Sequence, residues 1–278
     1  MNRQSDYRDT FIDEVRILSG LEASVSRERV LEAFRSVPRE RYVGNGPWKL
    51  RSPLHTHTVF ETPNADPKYL YHCALIVLDE TQGINIGEPS MWARLLTRAD
   101  IRHNSSVLQI GAGTGYYTAI LSQLVGMGKV LAFETEQILA LTAQGNLADE
   151  KSIEVRHGNG ACDLRDDDGL FDFIVAFAGV THPTTAWLDH LAPDGRLLLP
   201  VTGAHGLGAM ILIKQGTPIM DAITLGSCGF YPCTGARDAT MARRIDEMWK
   251  DRTRMDGWRM QISLKDNRVQ YLVDGLVF

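Results

Sequence analysis

Three glycines, Gly111, Gly113 and Gly115, alternate in the sequence directly after the apolar segment 107–110. Glycine lacks a Cβ atom, so a turn of this kind lets a ligand approach the peptide backbone closely. Such a turn between a strand and a helix is typical of proteins that bind nucleotide-like cofactors. A dinucleotide loop, G-x-G-x-x-G, would place its third glycine at position 116, where this chain has Tyr116. The spacing therefore favours a cofactor without a pyrophosphate, and a tight turn without a ligand is the alternative.

An acidic residue and a polar turn follow at the ends of the next two predicted strands. Glu134 ends the strand predicted over 129–134, a position from which a carboxylate can accept hydrogen bonds from both hydroxyls of a ribose. Asn159 and Gly160 follow the strand predicted over 153–157 and suit the polar edge of an adenine. Open α/β sheets bind ligands at the edge formed by such strand ends. These features predict an adenosyl pocket, with a solvated carboxylate and an ordinary turn as the alternatives.

Strand-like and helix-like segments alternate between residues 107 and 215, which predicts parallel β-α-β units. The strand-like segments are short, aliphatic and nearly uninterrupted, as a sheet covered on both faces requires. The predicted strands cover 107–110, 129–134, 153–157, 171–177 and 195–201, and the predicted helices cover 116–125, 136–149 and 183–191. The sequence therefore predicts an α/β fold with a doubly wound, mostly parallel, Rossmann-like sheet.

Different patterns flank this core, which we place at residues 91–235. An N-terminal helical and loop segment is predicted over 1–90 and a C-terminal extension over 236–278. Ser26 can cap a helix whose apolar residues share one stripe and which Pro38 ends. A final antiparallel pair is predicted over 209–215 and 223–231, then a helix over 239–250 and a weak strand over 270–273. Without a repeat or a linker, one compact domain is expected.

Composition and charge exclude several classes of protein. The formal charge of −5 and the sequence pI of about 5.9 give no support for a nucleic-acid partner, which usually requires a basic surface. The four cysteines form no C-x-x-C pair, and His55 and His57 have no evident third ligand, so no metal is expected. A polar N-terminus and the lack of an apolar run of roughly 18 residues predict a cytoplasmic protein without a membrane segment. The oligomeric state stays open.

Several stretches carry a resemblance to a known family. They are VLEAFRSVPRERYV at 30–43, the glycine turn with Tyr116 and Tyr117, VRHGNG at 155–160, the segment 187–201, and FYPCT at 230–234. Over roughly residues 25–235 the chain resembles class I S-adenosylmethionine-dependent methyltransferases, and among these the protein-L-isoaspartate O-methyltransferases. The resemblance and the pocket argument together imply S-adenosylmethionine as the cofactor, held by Gly111, Ala112, Gly113, Gly115, Tyr116, Glu134, Asn159, Gly160 and Thr234.

Two departures from the family pattern bear on the substrate. The family carries a Thr-Ile-Ser-Gln-Pro run before the first core strand, and its serine is tied to isoaspartyl catalysis. This chain has NIGEP at 85–89, so Gly87 stands in the place of the serine. The acidic residue of the family's Gly-Asp-Gly turn is replaced by Asn159. Methyl transfer is therefore implied, whereas isoaspartyl peptides are expected to be poor substrates.

Three polar residues are candidates for orienting or activating the methyl acceptor. Glu88 and Ser90 lie in the altered run, and His182 follows the fourth core strand. A carboxylate acceptor is ionised near neutral pH and needs no base, whereas a hydroxyl or amine acceptor would benefit from one, and His182 could supply it. The alternatives are solvated loop residues, Ser90 as the N-cap of a helix over 91–96, and a capping or packed histidine.

Three functions are open at this stage. The first is an O-methyltransferase that acts on a carboxylate, as in the family. The second is a methyltransferase that acts on a small molecule or a modified peptide, which would explain the lost serine. The third is a scaffold that binds the cofactor without catalysis. Acceptor specificity resides in loops that spacing arguments do not reach.

Overall fold

The computed structural model describes residues 3–53, 58–216, 219–250, 256–265, 268–273 and 276–277. His55 and His57 lie outside these residues. The chain forms two compact units. The first unit comprises Met1–Asn104, Ala112–Met127 and Glu136–Ile153, and the second comprises Ser105–Gly111, Gly128–Thr135 and Glu154–Phe278. The predicted boundaries at residues 90 and 235 stay a prediction.

The first unit contains five helices and a small antiparallel sheet among its described residues. The helices are α1 (Arg3–Ser19), α2 (Val25–Ser36), α3 (Pro89–Ala99), α4 (Tyr116–Val125) and α5 (Gln137–Asn146). The strands are β1 (Lys49–Arg51), β2 (Val59–Glu61), β3 (Leu75–Asp79) and β4 (Ile84–Ile86), in the order β2-β1-β3-β4. Helix α2 buries Val30, Leu31 and Phe34 on one face, as its apolar stripe predicts.

The predicted cap of α2 is wrong by two residues. Ser24, not Ser26, is the N-cap, and its side chain accepts a hydrogen bond from the Arg27 N–H. Ser24 has the extended backbone that an N-cap requires, so the first turn already includes Ser26. The Ser26 hydroxyl instead donates to the carbonyl of Thr97 at 3.1 Å. Two serines in one short segment made the position of the cap ambiguous.

The second unit is built on one large sheet. Its strands are β5 (Ser106–Ile110), β6 (Lys129–Glu134), β7 (Ile153–His157), β8 (Phe171–Ala176), β9 (Leu191–Thr202), β10 (Leu207–Lys214), β11 (Ile219–Gly229), β12 (Asp256–Lys265), β13 (Arg268–Val273) and β14 (Leu276–Val277). Their order is β14-β13-β12-β11-β10-β9-β8-β5-β6-β7, with helices α6 (Thr185–Asp189) and α7 (Ala239–Met248) in the connections. The centre is parallel, and the strands from β9 to β14 pair antiparallel.

The strand order reverses between β5 and β8, and this position locates the functional edge of the sheet. Ile110 at the end of β5 is opposite Phe133 of β6 and Ala176 of β8, so the three strands end at the same level. Ligands of open α/β sheets bind outside the carboxyl ends of the strands at such a switch point. The predicted α/β class with a mostly parallel central sheet is confirmed.

The C-terminal part differs from the prediction. The antiparallel pair of β10 and β11 is not the last one, because β12 pairs with β11 and β13 extends the sheet further. Strand β12 buries Met260 and Ile262 and exposes Arg259 and Gln261, a short alternation that charged neighbours obscure in the sequence. Strand β9 also begins four residues earlier than predicted, so the helix expected over 183–191 is reduced to α6. No helix in the described ranges is long and apolar enough to span a bilayer.

Candidate active site

The glycine turn begins at the end of β5 with backbone angles that favour glycine. Gly111 has φ +86°, its N–H donates to the Phe133 carbonyl at 2.9 Å, and its own carbonyl accepts a hydrogen bond from Gln109 Nε2 at 3.1 Å. The first bond connects the start of the turn to β6, and the second connects it back to β5. Gln109 was not among the predicted site residues, although a glutamine within an aliphatic strand is a usable signal.

The two following glycines shape the rest of the turn. Gly113 and Gly115 have φ +56° and +97°, a region that other residues rarely adopt. A Cβ atom on Gly113 would find its nearest neighbour, Leu78 Cδ1, only at 3.9 Å, so the space above this backbone is open. Gly115 is the N-cap of α4, and a Cβ atom on it would lie 2.7 Å from Leu147 Cδ1. The positive φ angle and this close approach both favour glycine at the position. The Gly115 N–H donates to the Ala112 carbonyl at 3.0 Å and closes the turn.

Four buried polar atoms within or next to the turn have no hydrogen-bond partner among the described residues. They are Gln109 Oε1 on β5, Thr114 Oγ1 in the turn, and Tyr116 Oη and Thr118 Oγ1 on α4. Buried polar atoms in native proteins are nearly always paired, so an unsatisfied one often indicates a missing ligand or water. An open glycine backbone and unpaired buried oxygens fit a polar cofactor at this turn. Thr114 lies within the predicted cofactor turn but was not singled out as a binding residue, because threonine is common in turns.

The ends of β6 and β7 place Glu134 and Asn159 in the second unit. Glu134 is buried, and its carbonyl accepts from the Gly158 N–H at 2.9 Å. The Asn159 N–H donates to Asp163 Oδ2 at 2.6 Å, and Asn159 Oδ1 accepts from the Ala161 N–H at 3.0 Å. The side-chain oxygen of Asn159 thus stabilises its own turn. The side-chain N–H groups are the part of this amide that can donate to a ligand.

Gly160 lies where only a glycine fits. A Cβ atom there would be 2.7 Å from Ile110 Cδ1 and 2.9 Å from Phe133 Cβ, side chains of the two strands that it covers. Its carbonyl accepts a hydrogen bond from the buried Trp187 Nε1 at 2.7 Å. Gly160 therefore lets the turn after β7 close onto β5 and β6.

The segment after β11 returns to the carboxyl edge of the sheet and carries Thr234. The Gly179 N–H donates to the Tyr231 carbonyl at 2.6 Å, and the Cys233 N–H donates to the Gly179 carbonyl at 2.8 Å. Thr234 is exposed, and a Cβ atom on the next residue, Gly235, would lie 2.8 Å from Asn159 Nδ2. The segment that carries Thr234 therefore passes beside the turns that follow β7 and β8, and the role of Thr234 in cofactor binding stays a prediction.

His182 follows β8 in the same unit and is half-buried. Its Nδ1 lies 2.8 Å from the hydroxyl oxygen of Thr181. Burial lowers the pKa of His182, and the nearby Asp238 carboxylate acts in the opposite direction. The structure thus supplies a largely neutral imidazole at the edge where the candidate cofactor residues of this unit meet.

Glu88 and Ser90 form the start of α3 in the first unit. Glu88 is the N-cap, and its carboxylate accepts from the Ser90 N–H at 2.8 Å, the Ser90 hydroxyl at 3.0 Å and the Met91 N–H at 2.7 Å. Ser90 is therefore not the cap of a helix over 91–96, the alternative considered from the sequence. Pro89 starts the helix one residue after the acid, and a negative charge at a helix N-terminus is favourable.

Gly87 is enclosed by two aromatic side chains of the first unit. The Tyr117 hydroxyl donates to the Gly87 carbonyl at 2.8 Å. A Cβ atom on Gly87 would lie 2.8 Å from Cδ1 of the buried Trp92 and closer still to its Nε1. Any side chain at position 87 therefore requires Trp92 to move. Tyr116 is also buried, with Arg39 above its ring.

The sequence model of the Protein-L-isoaspartate(D-aspartate) O-methyltransferase (PCMT) family matches residues 16–238. The chain belongs to this family. It is a class I S-adenosylmethionine-dependent methyltransferase, so the predicted enzyme class and cofactor are confirmed. The strands β12 to β14 lie beyond the part that matches the family.

Relatives and solved structures agree with this membership. The protein-L-isoaspartate O-methyltransferase of Koribacter versatilis is 31% identical over 218 residues, which cover 78% of this chain and 87% of the relative. That of Klebsiella pneumoniae is 33% identical over 198 residues, covering 70% and 84%. A solved protein-L-isoaspartate O-methyltransferase has a TM-score of 0.67 at 18% identity, covering 96% of this chain and 88% of its own. A Plasmodium falciparum beta-aspartate methyltransferase (PCMT) in complex with S-adenosyl-L-homocysteine has a TM-score of 0.59 at 17% identity, covering 84% and 100%.

In this family member the capping role of Glu88 leads to a prediction. Glu88→Gln is expected to lower the free energy of unfolding by about 1 kcal/mol, because an amide offers one acceptor oxygen where the carboxylate offers two. Urea denaturation would measure the loss. The affinity for S-adenosylhomocysteine should stay within a few tenths of a kcal/mol by calorimetry, the usual scatter of a distant substitution. Glu61→Gln, at an exposed position on β2, is the control that should change neither quantity. Weaker cofactor binding by Glu88→Gln alone would contradict this role.

Proposed function

We propose that this methyltransferase forms a methyl ester on a carboxylate of a peptide or protein, and that isoaspartyl peptides are poor acceptors for it. The observation that carries the second part is the contact of Trp92 with Gly87. Position 87 offers no hydroxyl where the family resemblance implies a serine, and the indole fills the space that the serine Cβ would need. The first part rests on membership of the carboxyl O-methyltransferase family.

The cofactor supplies an electrophilic methyl group on a sulfonium when it is bound. In this proposal the backbone of Gly111, Ala112, Gly113 and Gly115 and the N-terminus of α4 at Tyr116 would hold the cofactor. Glu134 would accept hydrogen bonds from the ribose hydroxyls, and Asn159, Gly160 and Thr234 would bind the adenine. The buried Thr114 and Gln109 oxygens, unpaired within the described residues, support a polar ligand at the glycine turn.

The chemistry asks little of the protein beyond positioning. A carboxylate oxygen forms the bond to the methyl carbon as the carbon–sulfur bond breaks, and the sulfur keeps the electron pair. No proton moves, because the carboxylate is ionised near neutral pH. Orientation of two reactants can supply roughly 7–11 kcal/mol of the barrier. A site without a base is therefore sufficient for this acceptor.

Incubation with S-adenosylmethionine labelled in its methyl group tests the proposal. Methyl esters hydrolyse in alkali, whereas methylated amines and ethers do not, so base-labile label on protein or peptide is the expected result. An isoaspartyl peptide should react roughly 10²-fold more slowly than with the Koribacter versatilis relative assayed in parallel, the typical loss of one transition-state hydrogen-bond donor. Equal rates for the two enzymes would contradict the second part.

The same experiment separates the other functions. Label on small metabolites and not on peptides would favour a small-molecule acceptor, and cofactor binding without label on any acceptor would favour a scaffold. The absence of a nucleic-acid partner and the cytoplasmic location stay predictions from the sequence.

A further inference from the structure

Thr181, in the turn after β8, forms hydrogen bonds through its backbone N–H, its carbonyl and its hydroxyl group. It is fully buried, and its backbone N–H donates to the Ala236 carbonyl at 2.9 Å. Its carbonyl accepts a hydrogen bond at 2.7 Å from the hydroxyl of Tyr271, a buried residue of β13. Both backbone groups are therefore fixed by parts of the chain that follow the Rossmann-like core, and the orientation of the side chain is set by them.

The hydroxyl group of Thr181 has hydrogen-bond contacts with both Asp238 and His182. Its oxygen accepts a hydrogen bond from the Asp238 N–H at 2.9 Å. The Thr181 hydroxyl oxygen and His182 Nδ1 lie 2.8 Å apart, and either group can be the donor of this bond. If Nδ1–H donated, the hydroxyl hydrogen would be left with the Ala236 carbonyl at 3.4 Å, well beyond the usual 2.7–2.8 Å of an O–H···O bond. The arrangement in which the hydroxyl donates to Nδ1 therefore satisfies both groups better.

This assignment determines whether the other ring nitrogen of His182, Nε2, carries a hydrogen. In a neutral imidazole one nitrogen carries a hydrogen and the other accepts. If Nδ1 accepts from the Thr181 hydroxyl, the hydrogen resides on Nε2. Burial favours the neutral ring, and Asp238 is the charged side chain that opposes it. Nε2 then has no lone pair with which to take a proton from an acceptor.

We propose that His182 is held as the Nε2–H tautomer and donates a hydrogen bond to the methyl acceptor. The inference rests on the proposed function and narrows its substrate class, because such a donor suits an anionic carboxylate and does not suit a hydroxyl or an amine that must lose a proton. One carboxylate oxygen accepts from Nε2–H while the other attacks the methyl carbon. The Nε2 proton stays on His182 throughout, and the carbon–sulfur electron pair leaves with the sulfur. Tyr271 and Asp238 are positioning residues that act through Thr181.

The tautomer can be measured without any acceptor. Long-range proton–nitrogen spectra of the ¹⁵N-histidine-labelled protein at pH 8, with His182 assigned by its loss in His182→Gln, distinguish a protonated from an unprotonated ring nitrogen. The expected result is a protonated Nε2 and an unprotonated Nδ1 in the wild type. A protonated Nδ1 in the wild type would overturn the proposal, and this measurement requires no variant of the turn itself to fold.

Variants at Thr181 test whether its hydroxyl group sets the tautomer of His182. Thr181→Val lacks the hydroxyl and should shift His182 toward a mixture of tautomers, whereas Thr181→Ser should restore the wild-type pattern. Thr224→Val is the matched control, because Thr224 is equally buried on β11 and its hydroxyl accepts from the Trp258 N–H at 2.9 Å without touching the turn. This control should leave the His182 signals unchanged. A Thr181→Val spectrum identical to the wild type would also overturn the proposal.

The role in methyl transfer needs a second measurement, on a peptide that carries side-chain carboxyl groups. His182→Gln keeps an N–H donor but cannot act as a base, so it should retain base-labile methylation within about tenfold of the wild type, and His182→Ala should lose more. Equal, complete loss in both variants would indicate a base and refute the donor role. A wild-type enzyme that produces only base-stable products would instead refute the proposed function, while the tautomer measurement would stand.

Discussion

Replacement of Glu134 by alanine is expected to weaken the binding of S-adenosylhomocysteine by roughly 10²–10⁴-fold. Glu134 is a buried carboxylate at the end of β6, next to the strand that leads into the glycine turn. Two hydrogen bonds from a ribose to a charged group contribute about 1.5–3 kcal/mol each. Since each 1.4 kcal/mol corresponds to a tenfold change in affinity, their loss gives this range. Isothermal titration calorimetry would measure it.

Two further variants make the result specific. Glu134→Gln keeps the shape but loses the charge, so it should fall between the wild type and the alanine variant. Glu154→Ala removes an exposed carboxylate from β7, where Glu154 forms an ion pair with Arg156 at 2.6 Å. This variant should bind S-adenosylhomocysteine with the affinity of the wild type. Unchanged affinity in Glu134→Ala would place the nucleoside elsewhere.

Gly87→Ser is expected to destabilise the protein by about 1–3 kcal/mol, the usual cost of overpacking a close-packed site. The added Cβ atom would lie 2.8 Å from Trp92 Cδ1, and Trp92 is fully buried in an interior that is normally close-packed. Restoring the serine of the family should therefore not by itself create efficient methylation of an isoaspartyl peptide. Chemical denaturation and the labelled-cofactor assay measure the two effects.

A double variant separates the steric cause from others. Trp92→Phe makes room at position 87, so Gly87→Ser should cost less stability in that background than in the wild type. Gly145→Ser is the matched control, because a Cβ atom on Gly145 of α5 would meet nothing within 4 Å. A Gly87→Ser protein as stable as the wild type would show that Trp92 does not exclude a side chain from this position.

Local signals explain which parts of the fold were predictable. Helix α4 and strands β6 and β7 have the predicted bounds, because glycines, aliphatic runs and polar turns mark their ends within a few residues. The N-cap at Ser24 and the strand β12 were missed, because each depends on choices between similar neighbouring residues that packing decides. Predictions are therefore most secure where one residue type permits one backbone conformation.

Local sequence patterns are sufficient to identify the family, the cofactor and the principal residues that we propose to hold it. The glycine turn and Glu134 are recognisable because backbone freedom and charge at a strand end are properties of single positions in a local pattern. The family resemblance also implies that Gly87 stands in the place of a serine, but it does not show what surrounds position 87. The indole of Trp92, five positions along the chain, is brought back onto Gly87 by the first turn of α3, and we propose that it excludes a serine there.

The protonation of the His182 ring nitrogens, by contrast, follows from contacts that exist only in the folded chain. Its tautomer depends on Thr181, and the atoms that fix Thr181 come from Ala236, Asp238 and Tyr271, the last of them 90 positions away. No local pattern encodes a hydrogen bond between residues so far apart, because such a bond exists only after the intervening strands have paired. The sequence could therefore place a histidine at the active edge, while its role as donor or base follows from the folded arrangement around it.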